Sequence, residues 1–234
     1  YLLCFTNTGR VFRMRGFNVP SASRTARGIP VVNLLNMQED ETIQTLVRVR
    51  QNETESKYAF FVTKLGIVKR VALEEFENIR QTGKIAITLR EGDELVAVRE
   101  TTGDNEIIIG GRNGKAIRFH EGDVRVMGRT AAGVQGFNVD GSEVVGVATD
   151  REGDHILSIT EKGYGKRTPI NDYRLTNRGA KGVISINVTE KNGEMVALRV
   201  VNGEEEAGAA ADHHHPGRRR GNQTAAGFAQ AIWL

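Results

Sequence analysis

With 234 residues, 39% of them hydrophobic and 26% charged, the chain has the length and balance of a globular domain with a sizeable core, not those of a disordered or fibrous segment. No run approaches the roughly 18 apolar residues of a membrane helix, and no charged-then-apolar leader opens the chain, so neither a membrane span nor a secretory route is expected. The formal net charge of +3 assigns no partner by itself.

In chain order, the first apolar run is YLLCF. Its Cys4 is the chain's one cysteine, so no intramolecular disulfide can form and a reducing, cytoplasmic setting fits; the thiol reads as a small buried hydrophobe. Next comes TNTGRVFR, the first of three landmarks that recur in fixed order. It is a Thr or Gly, two residues, a Gly, three residues and an Arg, repeated as TKLGIVKR, GRNGKAIR and TEKGYGKR. Its glycines are Gly9, Gly66, Gly114 and Gly163, spaced by 57, 48 and 49 residues. The second landmark begins as SRTARGIP at 23–30 and places Arg24, Arg80, Arg129 and Arg178 at spacings of 56, 49 and 49. The third is an acidic turn entering an apolar run: DETIQTLV, DELVAV, SEVVGV and GEMVAL. Such periodicity marks a repeat architecture, with units at approximately 1–57, 58–105, 106–155 and 156–206.

Each unit reads as four short strands: the apolar run, the Arg-bearing run after the glycine, a third run (GIPVVNLL, KIAITL, GVQGFNV or GVISINV), and the run after the acidic turn. The glycines supply the positive φ that tight hairpin turns require. No long helical period is present, although ALEEFENIR at 72–80 can form one turn. Four strands per roughly 50 residues is the pattern of an all-β, propeller-like array of four-stranded blades, about four of them here. A β-sandwich would match the strand content but not the register. In the second unit Lys84 stands where the others have Gly28, Gly133 and Gly182, so a glycine-specific conformation is not expected there.

The charges are sorted by position within the unit. Windows 6–29, 63–85, 111–134 and 160–183 hold 21 Lys and Arg against 7 Asp and Glu, whereas the other 139 residues hold 11 against 22. Units arranged around an axis would turn the first population into a basic band and the acidic turns into a separate one. A basic stripe on a near-neutral protein is the footprint of a polyanion binder. No recognition helix, zinc-ligand spacing or regular series of stacking aromatics is present, which favours non-specific contact with bending duplex DNA.

The stretches LLCFTNTGRVFRMRGFNVPSASRTARGIPVVNLLN, FFVTKLGIVKR, IRQTGKIAITL, GRTAAGVQGF and LTNRGAKGVISINV closely resemble the C-terminal domain of DNA gyrase A, over residues 1 to about 206. The resemblance implies a β-pinwheel, a propeller-like ring of about six four-stranded blades that exchange strands with their neighbours. It further implies duplex DNA wrapped on a basic perimeter and presented to the strand-passage core, for negative supercoiling driven by ATP. The partners so implied are double-stranded DNA, the rest of gyrase A, and gyrase B, in an A2B2 complex of the bacterial, nucleoid-associated cytoplasm. ATP and magnesium serve other parts of that enzyme; no cofactor is expected in this chain. Topoisomerase IV carries a similar, more degenerate domain, but GIPVVNLLN after SRTAR is closer to the gyrase form. Carried onto this sequence, the perimeter contacts fall on Arg10, Arg13, Arg24 and Arg27; on Lys64, Lys69, Arg70, Arg80 and Lys84; on Arg112, Lys115, Arg118, Arg125 and Arg129; and on Lys162, Lys166, Arg167, Arg178 and Lys181. The family's heptapeptide Gln-Arg-Arg-Gly-Gly-Arg-Gly, which precedes a segment like Tyr1–Phe5, is absent, so the chain is expected to start inside the first blade. Residues 207–234 lack every landmark and are expected to be a disordered tail.

Catalytic constellations are not found. His120 and His155 have no Ser, Cys or carboxylate partner at a recognisable spacing, GGRNGK at 110–115 is too short for a phosphate loop, and the consecutive His213, His214 and His215 form no defined metal site. None of Tyr1, Tyr58, Tyr164 and Tyr173 lies in the context of gyrase's cleaving tyrosine. The runner-up reading is a protein-interaction propeller, against which the charge partition and the missing WD and kelch signatures both count.

Overall fold

A computed structural model describes residues 1–49, 55–80 and 82–202, so the expected tail at 207–234 lies outside the described residues. The first unit contributes strands β1 (Leu2–Thr6), β2 (Arg10–Met14) and β3 (Ile43–Arg48). The second contributes β4 (Tyr58–Thr63), β5 (Ile67–Ala72), β6 (Lys84–Ile85) and β7 (Leu95–Thr101). The third supplies β8 (Glu106–Gly111), β9 (Lys115–His120), β10 (Val134–Gln135) and β11 (Val144–Thr149). The fourth supplies β12 (His155–Thr160), β13 (Gly165–Pro169), β14 (Val183–Ile184) and β15 (Met195–Val201). No α-helix occurs among the described residues; at 72–80 the expected turn is a 3-10 turn, Leu73–Phe76, matched by Glu121–Asp123 and Ile170–Asp172 in the next two units.

The four strands of a unit do not share one sheet. The antiparallel sheets are ordered β3-β1-β2-β6, β7-β4-β5-β10, β11-β8-β9-β14 and β15-β12-β13, so each short third strand joins the preceding blade. The turn glycine directs this exchange. Gly9 has φ +81°, and its carbonyl accepts from the N–H groups of both Ala86 and Ile87, at 2.8 and 3.1 Å. The carbonyls of Gly66 and Gly114 receive Gly136 with Phe137, and Ser185 with Ile186, in the same way. A Cβ on Gly9 would stand 2.6 Å from the Ile87 carbonyl oxygen, so the residue is required both for its dihedral and for this close approach.

Two expectations are corrected here. GIPVVNLL of the first unit is not a strand: Val31–Asn33 form a 3-10 turn, residues 20–30 are exposed, and the segment pairs with none of the described strands. In the second unit the left-handed conformation is used, but by Gly83 (φ +73°), not at position 84. Pairing sets Ile85 opposite Arg10 and Gln135 opposite Ile67, which makes Gly83 the counterpart of Gly133. The stretch from Arg80 to this glycine is one residue shorter than the stretches from Arg129 to Gly133 and from Arg178 to Gly182, which displaces the register set by Arg80.

β3, β7, β11 and β15 lie beside one another at the centre, which puts β6, β10 and β14 at the outer edges of their blades. The core lies in layers between blades. From β4, Ala59 and Phe61 pack toward the first blade with Phe5 and Phe76, whereas Phe60 and Val62 pack toward the third with Ile107, Ile109 and Phe119. Ile108 turns the other way, into the layer with Ile156, Met195 and Leu198. Strands buried on both faces explain why AFFV and EIII are continuous apolar runs without alternation. Phe5 meets Phe61 and Phe76 edge-on, at centroid distances of 5.3 and 5.6 Å, and burying each such ring contributes on the order of 2 kcal/mol. Cys4 is fully buried and burial pushes its thiol up to about 11, as befits an inert core residue.

Candidate nucleic-acid interface

The basic residues singled out by the repeat divide, by what they touch, into four groups. The first group holds blades together. Arg13, Arg70 and Arg118 each stand four residues after a turn glycine and reach into the next unit. Arg13 donates to the Glu77 carbonyl and stacks on the Tyr1 ring at 3.7 Å. Arg118 donates to the carbonyls of Ile170 and Tyr173, at 2.9 and 3.0 Å, and to Glu106 at 2.6 Å. Arg70, nearly buried, lies 3.4 Å from the fully buried carboxylate of Glu121, which also accepts from Thr101, Gly103 and Asn105.

Lys69 belongs with them. It occupies the position of Phe12 and Ile117 in the neighbouring units and is itself fully buried. Its ammonium donates to the carbonyls of Ala86 (2.5 Å), Gly128 (3.3 Å), Arg129 and Ala131 (3.1 Å), which ties the outer segment of the second unit to that of the third. Burial, helped by the Arg129 charge, lowers this amine to about 7. Lys69 and Arg70 were expected on the perimeter; Lys69 is instead fully buried against four carbonyls, and Arg70 is nearly buried beside Glu121.

A second group meets the acidic turns. Arg10 pairs with buried Glu41 at 2.7 Å. Burial alone would raise that carboxyl, but the Gln38 N–H, the Thr8 hydroxyl and the Arg10 charge hold it below its ordinary value. Lys64 lies between Glu143 (3.3 Å) and Glu94 (3.5 Å), and the Glu143 hydrogen bond raises its pKa. Arg112 pairs with Glu194, which raises it further. Lys181 and Lys115 converge on Asp140 at 2.9 and 3.8 Å, lowering its carboxyl, and Lys162 donates to the Glu190 carbonyl. The basic and acidic bands therefore touch along the turn-glycine side instead of standing apart.

In the third group, Arg129 and Arg178 bracket the perimeter. Each reaches a residue nine positions after a turn glycine and the outer strand of an earlier blade. Arg129 contacts Glu75 and the Ile85 carbonyl, both at 3.4 Å; Arg178 donates to the carbonyls of Asp123 and Gln135, both at 3.0 Å.

The fourth group is exposed or half-exposed. Arg24, Arg27, Arg80 and Arg125 are exposed and Lys84 half-exposed, and none has an ion-pair partner among the described residues. Lys166 and Arg167 are exposed on β13, the outer edge of the last sheet. Arg174 was missed by sequence reasoning. It is exposed and stands eleven residues after Gly163, as Arg125 does after Gly114, so the repeat register was the signal that would have found it. Since β6, β10 and β14 form the outer edges, the third and fourth groups give the perimeter a series of cations, diluted in the second unit by exposed Glu74, Glu75 and Glu77.

Antiparallel blades that exchange an outer strand and carry arginines at matching rim positions define a propeller-like array with a cationic perimeter. The chain matches the family described as DNA gyrase C-terminal domain, beta-propeller, over residues 1–50, 57–102, 105–149 and 154–202, and it belongs to that family. It is 49% identical over 209 residues to the DNA gyrase A protein of Staphylococcus aureus (strain NCTC 8325 / PS 47), covering 88% of this chain and 24% of that one. The DNA gyrase A protein of Staphylococcus epidermidis is 48% identical over the same share of this chain, so the chain spans about a quarter of the length of these relatives. Among solved structures, the C-terminal domain of DNA topoisomerase IV superposes with a TM-score of 0.77 at 27% identity, covering 86% of this chain and 63% of that one. The DNA gyrase A C-terminal domain does so with 0.71 at 26% identity, covering 86% and 65%.

Proposed function

We propose that residues 1–206 are part of the duplex-DNA-binding, DNA-wrapping domain of a gyrase A protein. In this reading DNA follows the outer edges of the blades, without sequence-specific readout, and is presented for ATP-dependent negative supercoiling by the whole enzyme. The observation that carries the proposal is the recurrence of rim arginines (Arg80, Arg125, Arg129, Arg174 and Arg178) beside the exchanged outer strands, countered only in part by exposed acidic residues such as Glu75. Phosphate is the ligand such a line of guanidinium groups fits, because each can donate two parallel hydrogen bonds to it. No element shaped to enter the major groove is found among the described residues, so sequence would enter only through the ease of bending.

The catalytic partners of this proposal lie outside the chain: the remainder of gyrase A, the whole of gyrase B, ATP and magnesium, in a bacterial cytoplasm. Topoisomerase IV is the alternative parent, favoured by the higher TM-score of its domain; the 49% identity to gyrase A favours gyrase. The test is a titration of a fluorescent duplex of about 150 base pairs at several salt concentrations. With the five rim arginines and Arg24 and Arg27 engaged, log affinity should fall against log salt with a slope of about −6. A shallow slope, or no binding at low salt by folded protein, contradicts the proposal.

A further inference from the structure

Not all of the perimeter is charged. Four large aliphatic side chains stand on it substantially exposed: Ile85 (51%), Val126 (45%), Leu175 (54%) and Ile184 (65%). Ile85 and Ile184 lie on the outer strands β6 and β14, each two residues after a left-handed glycine, Gly83 or Gly182. Strand alternation turns their successors, Ala86 and Ser185, into the core and leaves the isoleucines outside. Val126 and Leu175 each stand twelve residues after a turn glycine and form single parallel bridges with Arg70 and Arg118, just beyond the outer strands. Arginines flank both: Arg125 and Arg129 around Val126, Arg174 and Arg178 around Leu175. Arg129 also lies on the carbonyl of Ile85.

Scattered exposed aliphatics are ordinary on soluble proteins. These four are not scattered, since they recur at matching repeat positions on strand edges, where exposed apolar residues invite aggregation and polar ones would serve better. Resting on the duplex-DNA reading above, we propose that Ile85, Val126, Leu175 and Ile184 form an apolar contact line that packs on the deoxyribose walls of the DNA minor groove, between arginines paired with phosphate. Deoxyribose is the apolar surface that a duplex offers between its phosphates, and the flanking guanidinium groups hold it in place. The side chains do not intercalate. A wedge driven between base steps from the minor groove bends DNA toward the major groove, away from the protein, whereas wrapping compresses the inward-facing minor groove. The line therefore adds a contact that favours easily compressed grooves and releases no counterions.

That last property separates the line from the arginines. The variant Ile85→Thr/Val126→Thr/Leu175→Asn/Ile184→Thr keeps every charge and replaces the apolar ends with polar groups, and the same fluorescent duplex and salt series reads the outcome. Affinity should fall about tenfold at each salt concentration, with the salt slope unchanged. The pair Val126→Thr/Leu175→Asn, which leaves the outer strands intact, should lose about threefold and serves if the fourfold variant melts early. Affinity within twofold of the parent would overturn the contact line while leaving DNA binding standing, and a flattened slope would also overturn it by showing that these residues act through the arginines. A parent chain that binds with no salt dependence would remove the DNA-binding reading and the contact line together.

Discussion

Arg118 and Arg125 stand seven residues apart in the same unit, yet they do different work. Arg118 is nearly enclosed, with two carbonyls of the next unit and Glu106 as acceptors; Arg125 is exposed, with no ion-pair partner among the described residues. The former is a spoke between blades and the latter a rim cation. The contrast recurs: Arg13 and Arg70 resemble Arg118, and Arg174 resembles Arg125. Charge alone does not mark a binding residue in a repeat protein, because the same guanidinium that binds phosphate also satisfies the backbone carbonyls left open where blades meet.

Substitutions separate the core, the spokes and the rim by the size of their effects. The largest effect is expected from Ile108→Asp, which puts a carboxylate into the layer between the third and fourth blades; a cost of several kcal/mol should abolish the cooperative melting transition. Arg70→Ala leaves Glu121 buried without its cation and should cost about 3 kcal/mol in denaturant unfolding; a loss below about 1 kcal/mol would remove Arg70 from the spokes. Lys69→Met tests the enclosed ammonium by pH. Because the folded state lowers this amine to about 7, the unfolded chain binds more protons between that pH and the ordinary lysine range. The stability of the parent relative to Lys69→Met should therefore rise as pH increases through that window, and a flat difference would mean that the amine is not perturbed. The smallest effect on folding, within about 0.5 kcal/mol, is expected for Arg125→Ala/Arg174→Ala, whose consequence should appear in DNA binding instead.

The landmarks that impose local geometry were legible in the sequence. Gly9, Gly66, Gly114 and Gly163 all adopt φ between +79° and +81°, and the runs around them are the strands expected. The partner of each short outer strand was not legible, because GKIAIT or GVQGF shows an edge segment without showing which blade receives it. That choice is made by the turn-glycine carbonyl of the preceding unit, dozens of residues away. Gly83 went unrecognised because one deleted residue shifts it from the register of Arg80. Lys69 was unreadable for a different reason: a lysine in a strand reads as surface, and only the four carbonyls gathered from two distant segments make its burial tolerable. The candidate site was thus legible as a set of positions, while the division into spokes and rim depended on contacts between units.

The division itself is tested most directly by measuring duplex binding against salt for three proteins: the parent, Arg125→Ala/Arg174→Ala and Arg118→Ala. The rim variant should bind more weakly and flatten the slope by roughly 2, with its melting transition unchanged. The spoke variant should melt earlier and, while folded, keep the parent's slope. The reverse pattern, a flattened slope for Arg118→Ala with an unaltered one for the rim pair, would contradict the account.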